Sequence, residues 1–562
     1  MLSKRACKAS FETSSMNYAV SMMGWIKNNK KEAMLLGLIL LVGAFFRLYR
    51  ISEYMTFLGD EGRDAIVVRR LLVNFDPILV GPGTSIGNMY LGPLYYYMIA
   101  PALLLANFSP VGPAVMIALL GVVTIFFVWF VTHELFTFKG ETLQVADSGE
   151  SLTRRGEHSV HNGALIAAGL YAISPVVINY SRSSWNPNIM PFFSLLCIYA
   201  IWQTWKYFNF KWLVVMGIAF AFVLQSHYLG LLLAPVICIF WILTLLSLNP
   251  SPITYHLSPS RDFLKYSLIG LGLFLLLMSP LIVFDARHGW RNFSAIRTFF
   301  SQRETTISIK PWKSVPNLWP IFKDDYVARL VAGGNELAGR ITAFTLLIST
   351  VFYLAFNNKK LGQVFAGKKN FLSGVVLVSI WIFFGIVGLS LYKQHIYDHY
   401  FGFIFPALFI LVGAISQKIW DKFGYDGKIL VTSGFCLLVV VNLLNNPLRY
   451  PPNAQMWRAI EVAKLIDEKA GGQEFNLAVI AQQNYEDGYQ YFLEKHGAKV
   501  MDIDAQKPET VKSQLFVVCE LPEVKCDPTH NSKTEVANFG WSKVEGQWDT
   551  VGVIVYKLVH SK

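Results

Sequence analysis

The chain has 562 residues, of which 53% are apolar and 15% charged, and its formal net charge is +12 at pH 7. Charged residues make up about a quarter of an ordinary soluble protein, so this composition excludes a soluble enzyme, and a mean hydropathy of +0.40 points to the membrane. The excess of Lys and Arg does not indicate a nucleic-acid partner, because these residues cluster in short loops between apolar runs, the pattern that sets membrane orientation.

Residues 1–32 are polar and basic without a clear leader cleavage site, so an uncleaved cytoplasmic start is expected. No Asp, Glu, Lys or Arg occurs from Pro77 to Thr132 or from Trp212 to Ser260, and a bilayer core takes about 20 apolar residues per helix. Twelve apolar segments follow one another at 33–49, 89–108, 111–131, 162–180, 189–205, 212–225, 228–248, 266–284, 341–356, 371–392, 400–415 and 429–444. Lys and Arg near a span are retained on the cytoplasmic side. That rule puts Lys27, Lys30 and Lys31 on one side with Lys206, Lys211, Arg261, Lys265, Lys359, Lys360, Lys368, Lys369, Lys418, Lys422 and Lys428. They share a side only if one early segment does not cross.

Segment 89–108 is the one to demote. Pro93 and Pro101 interrupt it, and Tyr90, Tyr95, Tyr96 and Tyr97 give it the aromatic character of an interface. The expected fold is an all-α polytopic membrane module over 33–445, with about eleven transmembrane helices plus juxtamembrane helices. Its outer loops are 50–110 and 285–340, and the polar loop from Thr132 to His161 falls inside. A small extracytoplasmic α/β domain covers 446–562, where helical spacing (457–470, 485–496) alternates with strand-like runs (475–481, 515–519, 551–558). Outside the cytoplasm Cys519 and Cys526 fit either a disulfide or two free thiols, and the six cysteines show no zinc spacing.

Three clusters carry chemistry. The first is GDEGRDA just beyond the first span, with Asp60, Glu61, Arg63 and Asp64; carboxylates beside a membrane are costly unless solvated or paired, and surface ion pairing with Arg63, Arg69 and Arg70 is the plain alternative. The second is SRSSWNPNIMP, where Arg182, Trp185, Asn186 and Asn188 supply a planar cation suited to phosphate and a face for a sugar ring, although Arg and Trp also anchor span ends. Asp285, Arg287, His288 and Arg291, then Lys393, His395, Asp398, His399 and Tyr400, form the third. These cations fall on the same outer face as Arg182, where a greasy phosphorylated group fits.

The order of first span, outer Asp60–Glu61 pair, GPLYYY (92–97) and Arg-containing outer turn (182–191) resembles the GT-C membrane glycosyltransferases. It looks most like the dolichyl-phosphate-mannose protein mannosyltransferase-like families, which include the bacterial aminoarabinose transferases, and the likeness runs over about 33–414. The resemblance implies transfer of a sugar from a polyprenyl-phosphate donor to an acceptor hydroxyl, on a glycan, lipid or protein, at the outer face of a bacterial inner membrane. It implies Asp60 as base, with Glu61 and Arg63 orienting it. Arg182, Trp185, Asn188, Arg287, His288, His399 and Tyr400 are the candidates for the donor and its lipid phosphate. Direct attack by the acceptor would invert the anomeric centre. Many relatives carry Asp after the proline of the second outer turn, but here Asn188 follows Pro187. An amide is a poorer ligand than a carboxylate for a hard cation, so no metal or other cofactor is expected.

The competing reading is a transporter or flippase of a lipid-linked or small polar solute. Such proteins place ionisable groups near the bilayer midplane, often within repeated halves. Here the ionisable residues stand at span ends, His227 being the nearest exception, and no repeat is evident.

Overall fold

The computed structural model describes residues 24–84, 89–136, 162–248, 259–302, 310–365, 370–482 and 486–561. Most of the expected inner loop up to His161, as well as Lys368, Lys369 and Tyr485, lies outside these. The membrane module runs through α1 (Lys30–Leu48), α2 (Ile51–Tyr54), α3 (Gly59–Asn74), α4 (Leu94–Leu105), α5 (Val111–Phe136), α6 (Asn162–Ile173) and α7 (Pro175–Tyr180). It continues through α8 (Met190–Tyr207), α9 (Trp212–Ser226), α10 (Ala234–Leu246), α11 (Pro259–Arg287), α12 (Arg291–Gln302), α13 (Glu336–Phe356), α14 (Phe371–Ser390), α15 (Phe405–Lys422) and α16 (Gly424–Leu444). Among the described residues seven helices are long and apolar enough to cross a bilayer. The chain is therefore an integral, multi-pass membrane protein.

Long-range hydrogen bonds sort the helix ends into two groups. At one end Trp129 donates to Glu32 (3.0 Å), the Gly163 amide to Gln417 (2.9 Å) and Lys206 to the Val364 carbonyl (3.0 Å), and Tyr207 donates to Glu134. At the other end Arg182 holds the end of α1, Asn186 donates to the Ser226 carbonyl (2.6 Å) and Arg329 pairs with Asp398 (2.9 Å). Helix α4 has both of its ends in the second group. Tyr95 bonds Ser184 at 2.7 Å, and the Phe108 carbonyl just past its far end accepts from Tyr491 at 2.6 Å. Twelve residues give a helix of about 18 Å, short of the roughly 30 Å hydrocarbon core. Segment 89–108 thus lies along one side of the bundle, as its prolines and tyrosines suggest.

Beyond Leu444 the chain builds α17 (Gln455–Ala470), β1 (Asn476–Ile480), α18 (Glu486–His496), β2 (Gln514–Cys519), α19 (Thr534–Phe539), β3 (Ser542–Thr550) and β4 (Val553–His560). The sheet order is β1-β2-β4-β3, with β1 and β2 parallel and the other pairs antiparallel. Strands β1 and β2 are buried throughout, as continuous apolar runs in a covered sheet should be. The sequence reading missed β3. It is an exposed edge strand, SKVEGQWDT, with a register shift at Val544/Gly546, so no apolar alternation marks it. The strand expected from 551 begins at Val553, because Val551 and Gly552 form the turn at positive φ. Cys519 and Cys526 are disulfide-bonded, with Cα atoms 6.1 Å apart.

This domain is not a tethered appendage. Its core of Val462, Ile466, Phe475, Phe492 and Phe516 is continuous with Ile51, Met55, Phe57, Ala65 and Ile66 of the segment after α1. Polar bonds lock the same seam: the Ala454 amide to the Glu53 carbonyl (2.9 Å), the Phe57 amide to Gln455 (3.0 Å), Tyr54 to the Tyr450 carbonyl (2.8 Å) and Arg70 to Glu494 (2.5 Å).

Candidate active site

Helix α3 starts at the GDEG sequence because Glu61 reaches back to cap it. Its carboxylate accepts from the Leu58 amide at 3.1 Å, which satisfies one of the free donors of a helix N-terminus. Glu61 is thereby buried, with 7% of its surface exposed. Burial pushes its pKa up to about 7, against the pull of the Leu58 amide. The same turn leaves Asp60 pointing outward, 49% exposed. Arg63, one turn on, bonds Asp60 at 2.7 Å and Asp64 at 2.7 and 3.1 Å. Asp64 is almost wholly buried; burial raises it to about 6 even with Arg63 against it. One guanidinium therefore fixes two carboxylates, one sealed and one open.

Two glycines allow the neighbouring segments to approach. A Cβ on Gly62 would lie 2.4 Å from the backbone of Asp487 and Gly488 at the start of α18, and one on Gly92 would lie 2.0 Å from Gln225 Oε1. Gln225 in turn accepts from the Leu94 amide at 3.2 Å, which sets the start of α4 and hence the tyrosines of GPLYYY. Tyr95 then reaches Ser184 of the second cluster.

Arg182 is buried. Its Nη1 donates to the Phe46 carbonyl and its Nη2 to the Tyr49 carbonyl at 2.6 Å, and the guanidinium lies 5.1 Å from the Tyr54 ring. It closes the exposed carbonyls that end α1. Asn188 also turns inward, donating to the Ser183 carbonyl at 2.8 Å. Trp185 remains open, flanked by Tyr180 at 6.4 Å and edge-on to His399 at 4.6 Å.

These elements surround a cavity of about 710 Å³. Of the residues singled out in the sequence, Asp60, Glu61, Arg63, Arg182 and Trp185 line it. His399 stands against Trp185, and Tyr400 packs behind His399 at 4.6 Å. Asn188 serves its own turn. Arg287 and His288 are not brought in: both are exposed at the end of α11, where His288 bonds the Phe284 carbonyl at 2.7 Å. Neither lines the cavity, so grouping them with Arg182 is corrected. Asp398 and Asp487 line the cavity as well. Asp398 lies in the third sequence cluster, but no local signal marks Asp487. Among the described residues no three His, Cys, Asp or Glu side chains are grouped to hold a metal ion.

Residues 156–259 match the family model described as dolichyl-phosphate-mannose-protein mannosyltransferase. The chain is similar in structure to ArnT from Cupriavidus metallidurans. The form bound to undecaprenyl phosphate matches with a TM-score of 0.53 and 11% identity, over 94% of this chain and 98% of that one. The apo form matches with a TM-score of 0.54 and 12% identity, over 96% and 98%. No curated protein matches by sequence. The chain thus has an ArnT-like GT-C fold, the fold to which the order of its sequence motifs pointed.

Proposed function

We propose that the chain is a membrane glycosyltransferase that moves a sugar from a polyprenyl-phosphate carrier to an acceptor hydroxyl at the outer face of a plasma membrane. The observation that carries this reading is the cavity: a half-exposed carboxylate, held by a fixed arginine, faces a tryptophan at the ends of apolar helices. The likeness to a fold solved with undecaprenyl phosphate supports a lipid-linked donor. Sidedness is supported by the disulfide, which persists in oxidising compartments, and by the docking of its domain onto the elements that carry Asp60.

In this mechanism Asp60 takes the proton of the acceptor hydroxyl as the oxygen bonds to the anomeric carbon, a role worth roughly 10²- to 10⁴-fold. The bond to the carrier breaks in the same displacement, and polyprenyl phosphate departs with its electron pair. The configuration inverts. Arg63 keeps the Asp60 carboxylate oriented, while Glu61 caps the helix that presents it. The side of the cavity formed by Arg182, Trp185 and His399 receives the sugar phosphate, where the fixed positive charge of the clamped Arg182 offsets the charge of the leaving group. A monophosphate leaving group and an inward-turned Asn188 favour a metal-independent site.

The test is turnover of labelled polyprenyl-phosphate sugars by the purified protein and its Asp60→Asn variant. Transfer should fall at least 10²-fold while thermal stability and lipid binding are kept. Turnover by the variant at the wild-type rate removes Asp60 from the mechanism. The transporter reading predicts the opposite outcome, lipid or solute movement without a covalent product.

A further inference from the structure

The cavity wall is not made by the membrane module alone. Asp487 and Asn453 line it, and both belong to the chain beyond Leu444. Asp487 opens α18, and its backbone sits on Gly62 so closely that even a methyl group would strike its carbonyl carbon at 2.4 Å. This contact fixes where the Asp487 side chain emerges, beside Arg63, Asp60 and Asp64, whose charges all act on it.

The guanidinium groups of this region are bonded to other partners. Arg63 is bonded to Asp60 and Asp64, Arg182 to two carbonyls, and Arg329 to Asp325 and Asp398. Among the described residues Asp487 itself has neither a hydrogen-bond nor an ion-pair partner. A largely desolvated carboxylate of this kind is a strong acceptor for O–H donors. It also lines the same cavity as Asp60 and Trp185, as part of the wall contributed by the C-terminal domain.

We propose that the C-terminal domain supplies the acceptor subsite, in which Asp487 accepts hydrogen bonds from hydroxyls of a polyhydroxylated glycan adjoining the one that Asp60 deprotonates. This inference rests on the transferase reading. Acceptor choice then resides in α18 and the 445–454 connection, whereas the donor is read by the membrane helices. Asn453, whose amide nitrogen lies 3.4 Å from the Tyr54 carbonyl and whose side-chain oxygen accepts from the Gln455 amide at 3.1 Å, lines the same cavity.

The experiment uses the full-length protein in lipid nanodiscs, wild type against Asp487→Asn and Asp487→Ala. Labelled polyprenyl-phosphate hexose, pentose and amino-sugar donors are offered with two acceptors, soluble oligosaccharides and an extracted membrane glycolipid fraction. Release of free sugar to water is measured separately as the reaction that needs no glycan. Both variants should raise the acceptor KM at least tenfold on whichever acceptor wild type uses, with donor KM and donor hydrolysis within twofold of wild type. The isosteric Asn variant keeps the test valid if the Ala variant unfolds. An acceptor KM within twofold of wild type overturns the proposal. So does donor hydrolysis that falls in parallel with transfer, or a wild type that hydrolyses donor but glycosylates neither acceptor. A wild type silent on every donor refutes the transferase reading itself, which separates the two failures.

Discussion

Replacing Gly62 by Ala tests whether the C-terminal domain is seated on α3, the helix that carries Asp60. The added Cβ would meet the Asp487 carbonyl carbon and Gly488 nitrogen at 2.4 Å and the Asp487 oxygen at 2.5 Å. Ordinary contacts between such atoms are about 3.5 Å or longer, and all three are backbone atoms, so α18 must retreat by about 1 Å. Overpacking of this kind costs about 1–3 kcal/mol. The retreat also strains bonds along the seam, including Tyr491 to the Phe108 carbonyl (2.6 Å) and Arg70 to Glu494 (2.5 Å). A cost of about 1 kcal/mol raises the undocked population roughly fivefold, and 2 kcal/mol roughly 30-fold. Limited proteolysis of the 445–454 connection should accelerate by that factor. Misplacing one cavity wall by about 1 Å should lower transfer by up to 10²-fold. Cleavage and transfer both at wild-type rates would refute the docking of α18 on α3.

Glu61 and Arg182 give two further expectations. The folded-state pKa of Glu61 stands near 7, above an ordinary value of 4.5, so the folded protein holds this proton more tightly than the unfolded chain. Its contribution is fully present below about pH 4.5 and is lost as the pH rises through about 7, a change of about 3 kcal/mol. Glu61→Gln should flatten the fall in thermal midpoint between pH 5 and 8; a variant profile parallel to wild type would show that Glu61 does not titrate in this window. Arg182→Lys cannot span both the Phe46 and Tyr49 carbonyls, because an ammonium lacks the planar fork. Leaving one buried carbonyl unpaired costs about 1–3 kcal/mol, so a lowered thermal midpoint is expected even without donor, and an unchanged midpoint would count against the clamp.

Much of the membrane module was legible because its signal is local. An apolar run of sufficient length forms a helix in lipid whatever its neighbours, and α5, α14 and α16 stand close to where the hydropathy put them. Asp60, Arg63, Arg182 and Trp185, which line one cavity, stood out in the sequence because each cluster breaks an apolar pattern at a span end, and charge there needs a reason. The same logic placed Arg287 and His288 with them, and failed. Sequence marks the end of an apolar stretch but not the direction in which the helix continues, and α11 runs on to Arg287. Strand β3 was missed for the converse reason: an exposed edge strand buries too little to pattern its residues.

The amino-acid sequence alone determined a polytopic membrane module, the α/β character of its C-terminal domain, and the acidic turn where chemistry was expected. Only the tertiary structure decided that Arg182 clamps α1 and that the cavity lined by Asp60 is also lined by Asp487. Hydropathy and capping act between residues a few positions apart, within one element. Contacts such as Arg70 with Glu494, 424 positions apart, depend on the path of the whole chain and on a glycine at 62 where two backbones must touch.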